Sequence, residues 1–125
     1  MLYDTDVLIW LFRGSAKAAR VIEQDKDRRV SVVTYMELIQ GARDVREAKT
    51  VKAFLADLGF QMEPLTENIG HRASIYMEEY GLRAGLRMAD ALIGATAVEN
   101  RAILCTANQK HYRPVVEIDI KAFRP

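Results

Sequence analysis

Short apolar runs of the strand type recur along the chain, each followed by a longer segment in which apolar residues return every three or four positions. Leu2-Tyr3 opens the pattern as a short strand ending at Asp4, and Val7 to Phe12 continues it as an apolar helix. Asp6 is placed to cap that helix through its side-chain oxygen, and Arg13-Gly14 to end it. Ser15 is placed to cap a second helix, with Ala18, Ala19 and Ile22 at helical spacing before the polar cluster Gln24 to Arg29. Val30-Ser31-Val32-Val33 is β-branched and almost uninterrupted, as expected for a strand buried on both faces of a parallel sheet.

Thr34 and Glu37 have the spacing of a capping box, so a helix starts at Thr34 and breaks near Gly41. A longer one is expected from Val45 to Leu58, with Val51, Phe54, Leu55 and Leu58 on one side and Gly59 as terminator. Phe60 to Leu65 reads as a strand that Pro64 confines to an edge or an end. Thr66 caps the next helix, striped by Ile69, Ala73, Tyr76, Met77 and Tyr80 until Gly81. Gly81 to Met88 reads as an exposed loop. Met88 to Asn100 is then a helix whose body, Ala91 to Val98, lacks charge and should be the most buried of all. Ala102 to Thr106 and Val115 to Ile118 are the fourth and fifth strands, separated by a polar connection.

Strands alternating with helices predict an α/β fold: one domain over residues 1–125, an open, mostly parallel five-stranded sheet with helices on both faces. At 125 residues and 50% hydrophobic the chain can bury a core without a staple. A net charge of +1 carries no polyanion signature, so nucleic-acid contacts must come from local Lys and Arg. The single Cys105 cannot form an internal disulfide and reads as an inert core thiol. No leader pattern or membrane-length apolar run is seen, which makes the cytoplasm the expected compartment and a membrane an unexpected partner.

The acids change this picture. In an open α/β sheet, ligands bind beyond the carboxyl ends of the strands. Asp4 follows the first strand, Glu37 lies one turn beyond the second, and Asp90 opens the buried helix that precedes the fourth. Thr106 and Asn108 follow that fourth strand. Like charges about 4 Å apart repel by roughly 4 kcal/mol at an effective dielectric of 20, while a helix terminus offsets only about 0.3–1 kcal/mol. A divalent cation offsets more. An all-oxygen set without thiolate or imidazole suits Mg²⁺ or Mn²⁺, and such a site serves phosphodiester hydrolysis. Each acid also has a structural reading: Asp6 as a cap, Glu37 as half of a capping box, Asp90 as a helix N-terminal acid.

Four stretches together resemble the PIN-domain nucleases, in particular the short VapC-type ribonuclease toxins of toxin–antitoxin pairs. They are Leu2-Tyr3-Asp4-Thr5-Asp6-Val7-Leu8-Ile9, Ser31 to Leu38 followed by Gly41, Ala89-Asp90-Ala91-Leu92-Ile93-Gly94-Ala95, and Leu104-Cys105-Thr106-Ala107-Asn108. The resemblance implies an endoribonuclease using Mg²⁺ or Mn²⁺, with Asp4, Glu37 and Asp90 as metal-binding catalytic acids supported by Thr5, Asp6 and Thr106. It also implies a homodimer neutralised by a small antitoxin that covers the active groove. One departure stands out: Asn108 occupies the place where many relatives carry a fourth acid, and His111 the place of another. Asn108 therefore joins the catalytic set through its amide oxygen and brings no charge to a second metal site.

Arg13, Arg43, Arg83, Arg87, Lys110 and Arg113 fall in loops or helix ends where they could meet a phosphate backbone, Arg87 and Arg13 being the chosen substrate contacts. His71 reads as a surface residue, His111 as standing alone, and Trp10 as core or dimer interface. Asp4-Thr5-Asp6-Val7 also resembles the nucleophile motif of haloacid-dehalogenase-type phosphatases, whose later lysine and paired acidic motif are not evident. A PIN nuclease of RNA maturation and a PIN-like protein without turnover are the remaining alternatives.

Overall fold

The strands β1 (Leu2–Tyr3), β2 (Arg29–Ser31), β3 (Gln61–Glu63), β4 (Leu104–Thr106) and β5 (Ile120–Ala122) form one sheet in a computed structural model that describes residues 1–125. Their order is β3-β2-β1-β4-β5, and all four pairings are parallel. Parallel neighbours need crossovers, supplied here by α1 (Thr5–Phe12), α2 (Ala16–Gln24), α3 (Val32–Gln40), α4 (Val45–Asp57), α5 (Glu67–Tyr76), α6 (Leu82–Ala84), α7 (Met88–Glu99) and α8 (Gln109–Tyr112). No helix is long and apolar enough to cross a membrane.

Period-two alternation along the central strands divides the interior into two cores. Leu2 and Leu104, paired across β1 and β4, face a core with Ile69, Tyr76, Ile93 and Tyr112. Tyr3 and Cys105, the next pair, face another with Val7, Leu8, Ile22 and Leu55. The sheet thus has helices on both faces, as the uninterrupted apolar strands require. α7 buries Ala91, Ile93, Gly94, Ala95, Thr96 and Ala97, and its one buried hydroxyl, Thr96 Oγ1, donates to the Leu92 carbonyl at 2.7 Å. β3 is an edge strand, as Pro64 suggested.

Several boundaries differ from expectation for identifiable reasons. The strand expected over Val30–Val33 stops at Ser31, which caps α3 by accepting from the Val33 amide at 3.1 Å. Thr34 is therefore inside α3, one turn ahead of Glu37 on the same face, and the expected capping box does not form. The fifth strand is not Val115–Ile118: those residues form turns that bury Val115 and Ile118, and β5 follows at Ile120–Ala122. Its outer position leaves β5 mostly exposed, which erased its apolar signal. The stretch Gly81–Met88 continues from a π turn, Met77–Gly81, into α6 before Gly85 breaks it with φ +71.

Candidate active site

The sheet order reverses direction between β1 and β4, the position beyond whose carboxyl ends open α/β sheets bind ligands. Asp4 sits there with 7% exposure. It is the cap of α1: Asp4 Oδ1 accepts from the Thr5 amide at 2.8 Å. Its other oxygen accepts from Thr106 Oγ1 at 2.8 Å and lies 3.0 Å from the Tyr112 hydroxyl. The expectation that Asp6 caps this helix is corrected, because the chain turns helical two residues earlier than that cap requires, at Thr5. Asp6, inside the first turn, points across to the segment after β4. Asp6 Oδ2 accepts from the Ala107 amide at 3.1 Å and from Asn108 Nδ2 at 3.0 Å, and Thr106 Oγ1 stands 3.4 Å away. Asp6 Oδ1 is buried with no hydrogen-bond partner.

Glu37 is exposed on α3, where Thr5 Oγ1 donates to its Oε1 at 2.7 Å and lies 3.0 Å from Thr34 Oγ1. Asp90, in the first turn of α7, has Oδ1 3.3 Å from the Tyr112 hydroxyl and Oδ2 3.5 Å from His111 Nδ1. Four separate stretches thus converge on this edge, as the residue spacing implied. His111 does not stand alone.

Electrostatics reflects the crowding. Burial and then the charge of Asp6 push the Asp4 carboxyl up to about 7, against the pull of Thr106, Tyr112 and the Thr5 amide. Burial also raises Asp6, opposed by the Ala107 amide first, and raises Asp90, opposed by His111 first. Tyr112 is held far above the usual phenol range by burial and by the charges of Asp4 and Asp90. A buried Asp4 and a half-buried Asp90 meet at one phenol, with an unpartnered Asp6 oxygen behind them, and the nearby positive groups, His111 and Arg87, act on Asp90 and not on Asp4.

No three His, Cys, Asp or Glu side chains stand together as a finished metal cage. An open pair of carboxylates still fits a hydrated ion such as Mg²⁺, which retains several waters and takes one or two carboxylates from the protein. A groove of about 740 Å³, lined in part by His71, Arg72 and Glu99, contains none of these acids. It is an open surface between α5 and the segment before β5, so the chemistry is assigned from the carboxylates.

The remaining candidates separate. Arg87 is exposed at the start of α7, and its charge acts on Asp90. Arg13 follows the far end of α1, about 13 Å along the helix axis from Asp4 at 1.5 Å per residue, with its guanidinium 5.9 Å from the centre of the Trp10 ring. The structure does not bring it to the acids. Two participants escaped the sequence reading. Thr34 carried a signal, since it lies three residues before Glu37 on one helix. Tyr112, a single aromatic in a polar connection, carried none.

The PIN domain family model matches residues 1–116. No curated protein matches the chain. Among solved structures, a toxin–antitoxin complex from Klebsiella pneumoniae contains a chain 29% identical, with a TM-score of 0.78 and coverage of 94% of this chain and 93% of that one. DNA-bound VapBC from Salmonella typhimurium matches at 18% identity with a TM-score of 0.84, covering 97% and 96%. VapBC2 from Rickettsia felis, bound to a promoter DNA fragment, matches at 15% with a TM-score of 0.82, covering 99% and 100%. The last two likenesses concern the fold.

Proposed function

Because the chain belongs to the PIN-domain family, we propose that it is a divalent-metal-dependent endoribonuclease and the toxin of a VapBC-type pair, acting as a homodimer. The observation that carries the reading is the meeting of Asp4 and Asp90 at one buried edge, two carboxylates whose mutual cost a Mg²⁺ or Mn²⁺ ion would offset. Bound there, the ion supplies charge withdrawal from the scissile phosphate and a more acidic water.

The protein's own residues do the rest. Asp4, anchored by Thr5 and Thr106, and Asp90 hold the charge at this edge. Glu37, oriented by the Thr5 hydroxyl and open to solvent, takes a proton from the attacking water as its oxygen bonds to phosphorus, and the leaving sugar oxygen takes a proton from solvent as its own bond to phosphorus breaks. Asp6 orders the Thr106–Asn108 segment, with Asn108 donating to it from the place of the missing fourth acid. Arg87, next to Asp90 and exposed, binds the RNA backbone. Arg13, at the far end of α1, is away from the acids, and its proposed contact is with the RNA backbone further along the strand.

Ile9, Trp10 and Phe12 of α1 and Phe54 of α4 remain exposed, and Phe12 meets Phe54 edge to face with ring centres 5.4 Å apart. Such an exposed apolar face supports a protein partner, and the relatives above occur as toxin–antitoxin complexes. Induced expression is expected to arrest growth and create new RNA 5′ ends, both reversed by co-expressing a neighbouring small DNA-binding protein. Unchanged growth with RNA ends altered only at precursor termini would favour RNA maturation instead.

A further inference from the structure

The Tyr112 side chain is wholly buried, yet its hydroxyl stands where two carboxylates from different elements meet. Asp4 ends β1 and Asp90 opens α7, and the phenol oxygen is 3.0 Å from the first and 3.3 Å from the second. A phenol has one proton to donate. Asp4 has two other donors, the Thr5 amide and the Thr106 hydroxyl, each at 2.8 Å. Asp90 has only the phenol and the half-exposed His111, the latter at 3.5 Å. Of the two acids, Asp90 depends on Tyr112.

Local sequence makes room for this arrangement. Gly94 follows Asp90 by one helical turn on the same face of α7, and a Cβ there would lie 3.7 Å from Tyr112 Cδ1 and 2.6 Å from Ile118 Cδ1. A Cβ at 94 would clash with Ile118, which packs in the same core as the ring, while meeting the ring itself at ordinary contact distance. The ring packs in the core shared with Ile93, Val115 and Ile118, and the Val115 amide donates to the Tyr112 carbonyl at 3.0 Å. Ring and backbone are therefore fixed independently of the hydroxyl.

We infer that Tyr112 is a positioning residue of the acid site: its hydroxyl fixes Asp90 against Asp4, and that spacing sets how tightly the pair holds a divalent cation. The inference rests on the metal-site reading proposed above. Phenylalanine would fill the same space and remove only the hydroxyl, which separates packing from positioning.

The test is a Mn²⁺ titration of the intact protein, read by paramagnetic resonance of the free ion, for wild type, Tyr112→Phe and Asp90→Asn, with a thermal melt of each. Tyr112→Phe is expected to melt within a few degrees of wild type and to bind Mn²⁺ about 10- to 100-fold more weakly, the usual consequence of losing a partner that orients a ligand. Asp90→Asn is expected to lose the site. Equal affinities for wild type and Tyr112→Phe, with binding lost in Asp90→Asn, would overturn the inference and leave the metal site standing. Absence of Mn²⁺ binding in wild type, or its survival in Asp90→Asn, would overturn both. A Tyr112→Phe protein that fails to fold would also overturn it, because the hydroxyl would then be holding the fold and not the acids.

Discussion

Thr106 Oγ1 donates to Asp4 Oδ2 at 2.8 Å, joining two residues 102 positions apart that end adjacent parallel strands. The same oxygen accepts from the Asn108 amide at 3.0 Å, so one hydroxyl ties the first acid to the segment after β4. Thr106→Val keeps the shape and leaves a buried carboxylate oxygen and an amide without this partner. A loss of about 1–3 kcal/mol is expected in denaturant unfolding of the metal-free protein. Thr106→Ser should recover most of it.

The pH dependence of stability follows from Asp4. Its carboxyl titrates near 3.8 when unperturbed and is pushed up to about 7 in the fold, chiefly by burial. Between those values the folded protein holds a proton that the unfolded chain has released. The metal-free protein is therefore expected to lose stability as pH rises from about 4 to about 7, by roughly 4 kcal/mol at most, and to level off above. Asp6 and Asp90, also raised, act in the same direction. Melting temperatures across this range check the slope. Asp4→Asn, which can still cap α1, should flatten it and melt higher than wild type at pH 7.5 without metal.

Asp6 adds its charge to the burial of Asp4. Asp6→Asn keeps an acceptor for the Ala107 amide and removes that charge, so the Asp4 carboxyl should titrate lower, though still above the ordinary range because burial remains. Carboxyl-carbon NMR titration reads this directly. An unchanged Asp4 would mean that burial alone sets its value.

Thr5 orients Glu37 with a single proton. Thr5→Val should cost about 1–3 kcal/mol through the buried Thr34 hydroxyl and lower the cleavage rate of the folded protein by about 10²-fold, the lower range of a general-base contribution, whereas Thr5→Ser should retain most activity. Steady-state cleavage of a fluorogenic RNA oligonucleotide separates the two.

Away from the acids, Arg28 gathers four carbonyls: Ile22 at 2.8 Å, Asp25 at 2.9 Å, Leu58 at 2.7 Å and Glu23 at 3.2 Å. It joins the end of α2 to the end of α4 just before β2 begins. Arg28→Ala is expected to cost about 2–3 kcal/mol in denaturant unfolding, and Arg28→Lys to recover little, because an ammonium cannot reproduce the planar fork.

Much of this molecule was legible in its sequence because local patterns carried it. Ser15 and Thr66 cap their helices as expected, accepting from the amides of Ala18 and Ile69 at 3.2 Å each. The uncharged body of α7 marked the most buried helix, and strands alternating with helices foretold a sheet that proved parallel throughout. The spacing of Asp4, Glu37, Asp90 and Thr106 located the edge where they meet. What stayed hidden depended on a two-residue shift in where a helix begins or on partners far away in sequence. The cap of α1 is Asp4 and not Asp6, a difference that changes which acid bears a structural duty. Tyr112 is distant from Asp4 by 108 positions, and nothing in a short polar connection marks a tyrosine that will be buried against it. β5 lay on an exposed edge, where period-two alternation no longer distinguishes strand from turn.

The most direct measurement is cleavage of structured RNA by the purified, antitoxin-free protein with Mn²⁺, compared with Asp4→Asn and Asp90→Asn preparations of matched fold by circular dichroism. Cleavage that requires Mn²⁺ and disappears in both variants is the expected result. Equal cleavage by all three preparations, or cleavage by wild type that persists in excess chelator, would contradict a metal-dependent nuclease built on Asp4 and Asp90.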